Sequence, residues 1–212
     1  MHISEGVLSA PVWMGGAAVA AGCVGWGLKK LDGESMVSAA LVTAAFFVAS
    51  LIHLPLGPAS VHLVLGGLVG LVLGWGAFPA IFTALLLQAL LFQYGGLTTL
   101  GINTVIMAVP AVGIGMLLGP FVSRKGWVGS LAAFGCGALP VALSSVALAG
   151  ALVLTGESFK VIAMASVVGN LPVMGVEGLF TMGVVSFLLK VYPELLGHIV
   201  KPQNPLSPRE AA

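Results

Sequence analysis

The sequence predicts an all-α integral membrane protein with seven transmembrane helices, an N-terminus outside the cell and a C-terminus in the cytoplasm. This prediction is based on the composition, the lengths of the apolar segments and the distribution of basic residues. Of the 212 residues, 58% are hydrophobic and 7% are charged, whereas an ordinary soluble domain has about 25% charged residues. A soluble globule of this size cannot hide so much apolar surface, so the solvent around the chain must be lipid.

Seven apolar segments can be marked along the chain. They run over residues 7–28, 36–54, 61–75, 79–94, 102–122, 127–154 and 159–191. All are predicted to be helices, because unpaired backbone groups cannot face lipid. The third and fourth segments are shorter than the ~20 residues of a straight span. Pro140 and Pro172 predict kinks or breaks inside the sixth and seventh segments.

The basic residues set the predicted orientation. With the N-terminus outside, Lys160 is the one basic residue on the outer side, and the other seven of the eight fall in cytoplasmic segments. These seven are Lys29, Lys30, Arg124, Lys125, Lys190, Lys201 and Arg209. An excess of Lys and Arg on the cytoplasmic side is the usual rule for membrane proteins. We therefore predict a membrane domain over residues 1–191 and a cytoplasmic tail over residues 192–212.

Several classes of function are excluded by composition and by missing motifs. A net charge of +1 offers no basic field for nucleic acid. Cys23 and Cys136 lie inside apolar segments and are interpreted as small hydrophobic residues, not as a disulfide framework. The sequence contains no G-x-x-x-x-G-K-[ST] phosphate loop and no H-E-x-x-H zinc motif. We therefore expect neither an enzyme nor a tightly bound cofactor, and any ATP hydrolysis must come from another protein.

The N-terminal pair Met1 and His2 has the composition of a metal chelate. The amine of Met1, the backbone amide of His2 and the His2 imidazole offer three nitrogens in fused rings that share a plane. A second imidazole can fill the fourth position, and His62 is the natural candidate because it also lies near the outer face. A square of nitrogens suits Ni(II) or Cu(II), with Co(II) also feasible. The simpler interpretation of His2 is a solvated polar residue near a chain end.

Other polar residues near the spans are weaker candidates for a metal path or for groups that orient the ligands. His53 ends an apolar segment, and an interfacial cap is favoured over a ligand role. The connection between the fourth and fifth segments is flanked by Gln88, Thr98 and Asn103. It is either a plain glycine-rich connector, or its polar side chains orient the ligand histidines. Glu177 is the one acidic residue well inside a predicted span, and the sequence leaves open whether it lies on a metal path or anchors helix packing.

Four stretches of the chain together carry a family resemblance. They read MHISEG at residues 1–6, SVHL at 60–63, QALLFQYGGLTTLGINT at 88–104 and VEGL at 176–179. This pattern resembles the CbiM/NikM family, the cobalt- and nickel-specific substrate-capture (S) components of energy-coupling factor (ECF) transporters. The likeness extends over essentially the whole chain.

The resemblance implies a seven-helix protein whose N-terminal strand inserts into the helical bundle and binds the metal. The family positions match Met1, His2 and His62 here, so residues 1–6 would be an extracellular metal-binding leader. The resemblance also implies a transmembrane coupling (T) protein, two cytoplasmic ATPase subunits and often a small accessory membrane protein as partners in the cell membrane. Ni(II) or Co(II) would be the transported substrate, supplied to cobalamin biosynthesis or nickel enzymes.

Two other functions stay open at this point. One is a self-sufficient metal channel or proton-coupled carrier that uses Glu177. The other is a membrane enzyme or electron carrier in which His53 and His62 hold a haem.

Overall fold

The computed structural model describes residues 2–51, 53–56 and 59–196. The regular secondary structure of this part is helical apart from one short β-hairpin. The helices are α1 Ala10–Lys30, α2 Gly33–Leu51, α3 Gly66–Leu73, α4 Ala77–Phe92, α5 Leu100–Val122, α6 Trp127–Thr155, α7 Lys160–Gly169 and α8 Leu171–Val191. The strands are β1 His53–Leu56 and β2 Ala59–His62, between α2 and α3.

Five stretches of the described residues are long and apolar enough to cross a membrane. They are Ala10–Lys30, Gly66–Phe92, Leu100–Val122, Trp127–Thr155 and Glu157–Val191. A sixth helical stretch, Ser35–Leu51, is apolar but shorter. The protein is therefore a multi-pass membrane protein. The predicted count of seven spans is not reproduced, because the third predicted segment contains only the eight-residue helix α3 and because α2 ends at Leu51.

The connection between α2 and α3 is a β-hairpin where the sequence analysis predicted the ends of two helices. The strands are antiparallel, with His53 opposite His62 and Leu56 opposite Ala59. The physical reason is Pro55, which cannot continue a helix and which favours extended backbone at the residue before it. The prediction of helix up to residue 54 and again from residue 61 is therefore wrong.

Helix α3 is a half-helix that begins inside the bundle. Its eight residues span about 12 Å, well short of the ~30 Å hydrocarbon core. The chain turns at Gly74, where φ is +51°, through the 3-10 turn Gly74–Gly76. This turn lies against the last turns of α1, since a Cβ on Gly27 would lie 2.5 Å from the Trp75 carbonyl oxygen. Helix α4 then runs back towards the end of the bundle that carries the leader.

Glycines let α3 pack directly on the backbones of α5 and α6. A Cβ on Gly67 would lie 1.8 Å from the Cys136 carbonyl oxygen, and a Cβ on Gly70 would lie 2.2 Å from the Ala111 carbonyl oxygen. Close approach of small residues is a common way to pack helices in lipid. The glycine-rich face of α3 is therefore used for packing within the chain.

Pro140 and Pro172, which were both predicted to kink or break a helix, have different effects in the structure. Helix α6 continues from Trp127 to Thr155 with Pro140 in its interior, so the chain does not break there. The last apolar stretch divides at Asn170, between α7 and α8, and Pro172 occupies the first turn of α8. Proline fits the first turn of a helix because the N–H it lacks has no partner inside the helix there.

The two ends of the bundle differ in composition. The leader and the connection from Gln93 to Thr99 lie at one end, because α5 begins there. The last turns of α1 and α8 and the connection between α5 and α6 lie at the opposite end, and they carry most of the described basic residues: Lys29, Lys30, Arg124, Lys125 and Lys190. At this end a 3-10 turn, Pro193–Leu196, packs onto α3 through the fully buried Leu196.

Candidate metal centre

The leader is attached to the bundle chiefly by Asn103 on α5. The Ile3 N–H donates to Asn103 Oδ1 at 3.0 Å, and Asn103 Nδ2 donates to the Ile3 carbonyl at 3.0 Å. The Thr99 hydroxyl donates to the same carbonyl at 2.9 Å. Asn103, Thr99 and Ile3 are all buried. The backbone immediately after His2 is therefore fixed by side chains from the first turn of α5 and the residue before it.

Glu5 forms a second attachment, to the connection between α4 and α5. Its backbone N–H donates to the Gly95 carbonyl at 3.1 Å. Its carboxylate accepts hydrogen bonds from the Thr98 hydroxyl at 2.5 Å and the Thr98 N–H at 3.3 Å. Gly96 lies so close that a Cβ there would be 2.0 Å from Glu5 Oε2. A side chain at position 96 would thus displace Glu5 and the leader with it.

Apolar packing fixes the other side of the N-terminal segment. Ile3 and Leu8 are buried in a cluster with Ile106 of α5 and Leu148 and Leu152 of α6. Burial of a side chain of this size contributes about 1.5–3 kcal/mol. The segment is therefore inserted into the bundle as an integral part of its core.

His2 lies next to this attachment. Its backbone adjoins the fixed Ile3, and its Nε2 atom is buried. A Cβ on Gly95 would lie 3.7 Å from the His2 Cβ, so the connection between α4 and α5 passes close to His2. Met1 lies outside the described residues, and so its predicted role as a ligand stays a prediction.

The β-hairpin carries the other two candidate histidines. His53 and His62 occupy directly opposite register positions in the two strands. Their side chains lie outside the described part of the structure, so the predicted ligand role of His62 and the weaker role of His53 stay predictions. Strand β2 contacts α2 and α8, and three residues lead from its end into α3.

Glu177 interacts with backbone at the start of α3. The residue is fully buried, and its carboxylate accepts hydrogen bonds from the N–H groups of Val64 and Leu65. The Leu65 N–H lies 3.0 Å from both carboxylate oxygens. A negative charge near a helix N-terminus is favourable because the first N–H groups lack partners inside the helix. The contacts of Glu177 are those of a packing anchor, one of the two roles that the sequence leaves open.

Gln88 bridges α4 and α2. Its Nε2 atom donates to the Ser50 hydroxyl at 2.5 Å, and its side chain is fully buried. The Gln88 Oε1 atom is buried and has no hydrogen-bond partner among the described residues. None of the described hydrogen bonds of the Gln88 side chain reaches the leader.

The candidate residues therefore fall into three groups: the leader with Thr98 and Asn103, the hairpin, and the separate contacts of Gln88 and Glu177. The sequence analysis gave no role to Glu5, which also holds the leader. The adjacent Gly95 and Gly96 were the available signal, since paired glycines beside polar residues indicate a close backbone approach. Among the side chains that the structure describes, which do not include those of His53 and His62, no three His, Cys, Asp or Glu residues form a metal cluster.

Comparison with known proteins points to metal transport. A family model described as the cobalt uptake substrate-specific transmembrane region, CbiM, matches residues 2–195. A Haemophilus influenzae protein that carries the provisional name of a metal transport protein is 39% identical over 201 residues, which cover 92% of this chain and 97% of that protein. The cobalt transport protein CbiM of Sorangium cellulosum is 31% identical over 216 residues, which cover 94% of this chain and 96% of that protein.

A fused relative and a solved structure extend this comparison. The fused nickel transport protein NikMN of Rhodobacter capsulatus is 31% identical over 97% of this chain and 66% of its own length. A crystal structure of a truncated transition metal transporter matches with a TM-score of 0.76 and 25% sequence identity, covering 90% of this chain and 99% of that one. Relatives of this chain thus occur both alone and joined to further segments.

Proposed function

The chain belongs to the CbiM family, a cobalt and nickel transport component, and from this we propose that it captures one Ni(II) or Co(II) ion at the leader end of the bundle. The proposed ligands are the Met1 amine, the His2 amide and imidazole, and the His62 imidazole. The observation that supports this site best is the attachment of Ile3 to Asn103. It fixes the backbone beside His2, and a chelate needs such a fixed geometry.

We place the leader end outside the cell in this proposal. The basic residues at the opposite end of the bundle support that orientation through the positive-inside rule. The ion is then captured from the outer solution and handed on for uptake.

Active uptake requires partners in this proposal. The sequence has no phosphate loop, so ATP hydrolysis would be supplied by two cytoplasmic ATPase subunits and coupled through a transmembrane T protein, as in an ECF transporter. A small accessory membrane protein would complete the complex. The fused nickel transport protein of Rhodobacter capsulatus supports the idea that such a region works together with further components.

The alternatives gain no support from the described contacts. Both oxygens of Glu177 accept hydrogen bonds from backbone N–H groups, which is unlike a carboxylate poised to carry ions or protons. Membership of a metal transport family argues against a haem protein.

The test is a calorimetric titration of the purified protein with Ni(II) and Co(II). It compares the authentic Met1-His2 terminus with a version that carries one extra residue ahead of His2, and with His62→Ala. We expect one ion per native chain and a loss of tight binding in both variants, because each removes nitrogens from the chelate. His198→Ala, in the predicted tail, is the matched control and should bind like the native protein. Equal binding by the native and extended forms would refute the site.

Uptake into liposomes tests the proposed dependence on partners. We expect no ATP-driven accumulation of Ni(II) or Co(II) by this chain alone, and accumulation when T and ATPase subunits are added. Accumulation by the isolated chain without ATP would favour the self-sufficient carrier.

A further inference from the structure

One of the three residues between β2 and α3 has an unusual backbone conformation. Leu63, Val64 and Leu65 join His62, the last residue of β2, to Gly66, the first residue of α3. Leu65 has a left-handed backbone with φ of +50°, which residues with a side chain rarely adopt. Such a conformation persists only where the surroundings enforce it, and it is often found at functional sites.

One carboxylate binds the backbone at this conformation. Glu177 of α8 accepts hydrogen bonds from two consecutive N–H groups, those of Val64 and Leu65. Val64 and Leu65 are also buried, at 4% and 6% exposure. No other described side chain has a hydrogen bond to these N–H groups, so Glu177 is the polar anchor of the segment.

His62 therefore lies between two constraints. On one side it is paired with His53 across the hairpin. On the other side, two residues further along the chain, the backbone is held by Glu177. A ligand that is held in place before the metal arrives loses less conformational freedom on binding, and so binds more tightly.

We propose that Glu177 is a positioning residue for metal capture: through Val64 and Leu65 it holds His62 at the place where His62 completes the metal site. This inference rests on the proposed function, because it takes His62 as a ligand. In this proposal Glu177 does not contact the ion, whereas in the carrier hypothesis it does.

Substitutions at Glu177 and His62 test the proposal in a double-mutant cycle, with Ni(II) alone as the probe. Glu177→Met keeps the length of the side chain and removes both acceptors. We expect it to raise the Kd for Ni(II) about 10–100-fold, the usual effect of losing a group that orients a metal ligand. The same substitution in a His62→Ala background should change the Kd little further, because its effect passes through His62.

Two more variants separate positioning from general damage. Glu177→Gln keeps one oxygen that can accept from both N–H groups. Its affinity for Ni(II) should therefore stay much closer to native than that of Glu177→Met. Thr181→Val is the matched control: Thr181 is also fully buried on α8, and its hydroxyl has no hydrogen-bond partner among the described residues. It should leave the Kd unchanged. If Glu177→Met cannot be purified in folded form, Glu177→Gln replaces it in the double-mutant cycle. The expected loss of Ni(II) affinity is then smaller.

The absorption spectrum of bound Ni(II) gives an independent readout. At saturating Ni(II), Glu177→Met should show the native spectrum, because the same four nitrogens bind, whereas His62→Ala should not. The positioning role would be overturned if Glu177→Met lowered the Ni(II) affinity equally in the native and His62→Ala backgrounds. It would also be overturned if folded Glu177→Met had an unchanged Kd. An unchanged Kd in His62→Ala alone would instead refute the ligand set, and this inference with it.

Discussion

The side chain of Asn103 pairs with the backbone of Ile3 as a neighbouring β-strand would. It accepts a hydrogen bond from the Ile3 N–H and donates one to the Ile3 carbonyl, both at 3.0 Å, across 100 residues of sequence. Ile3 directly follows His2, so the position of this candidate ligand depends on Asn103.

Asn103→Ala should weaken both the fold and metal binding. The buried Ile3 N–H loses its acceptor, and an unsatisfied buried group of this kind costs about 1–3 kcal/mol. We expect a lower unfolding temperature in detergent and a higher Kd for Ni(II). Thr104→Val is the control, since the buried Thr104 hydroxyl donates only to Leu100 within the same helix. Unchanged Ni(II) affinity in Asn103→Ala would show that the leader does not depend on this contact.

Gly96→Ala should displace the leader. The new Cβ would lie 2.0 Å from Glu5 Oε2 and 2.9 Å from Glu5 Cβ, so rotation of the carboxylate alone cannot relieve the clash. We expect a destabilisation of about 1–3 kcal/mol, typical of overpacking, and weaker metal binding in titration calorimetry. Gly113→Ala, on α5 with no atom within 4 Å of its new Cβ, should leave both quantities close to native. Equal behaviour of the two variants would contradict the close approach.

Gly67→Ala and Gly66→Ala should differ sharply although the residues are adjacent. A Cβ on Gly67 would lie 1.8 Å from the Cys136 carbonyl oxygen, whereas a Cβ on Gly66 makes an ordinary contact of 3.7 Å with Val64. Thermal unfolding should show a loss of about 3 kcal/mol for Gly67→Ala, at the upper end of overpacking costs. Gly66→Ala should stay near neutral, because alanine is the better helix residue. Similar stabilities would mean that α3 does not touch α6 as described.

Bound metal should be lost on acidification. The proposed amine, amide and imidazole ligands must all be deprotonated to bind, so protons compete with the ion. Occupancy of purified, metal-loaded protein should fall as the pH drops through the usual histidine range around ~6.5. Metal content measured after dialysis at stepwise lower pH checks this. Occupancy that stays constant down to about pH 4, below the reference histidine pKa, would argue against imidazole ligands.

The sequence predicts the membrane character and the positions of α1, α5, α6 and the divided last stretch, because long apolar runs need few tertiary contacts to specify a helix in lipid. It does not predict the half-helix α3. Hydropathy gives the same signal for a short helix that turns at Gly74 as for a full span, and only the contacts of Gly67 and Gly70 with other helices distinguish them.

The same contrast between local signals and distant contacts applies to the predicted site residues. His2 was predicted as a ligand from local chemistry, since a chelate needs only neighbouring atoms, and its ligand role stays a prediction. The backbone partners of Glu5 and Glu177 were not identified, because they lie in segments far away in sequence. Backbone donors leave no mark in the residue types of a single sequence.

The contact between Glu177 and the start of α3 also bears on the order in which the chain is assembled during biosynthesis. Val64 and Leu65 are made 113 and 112 residues before Glu177. Until α8 has been synthesised, the N–H groups of the two residues just before α3 lack this acceptor, and unpaired backbone groups are costly in lipid. The segment that leads into α3 therefore gains its polar anchor only once the last helix has entered the membrane.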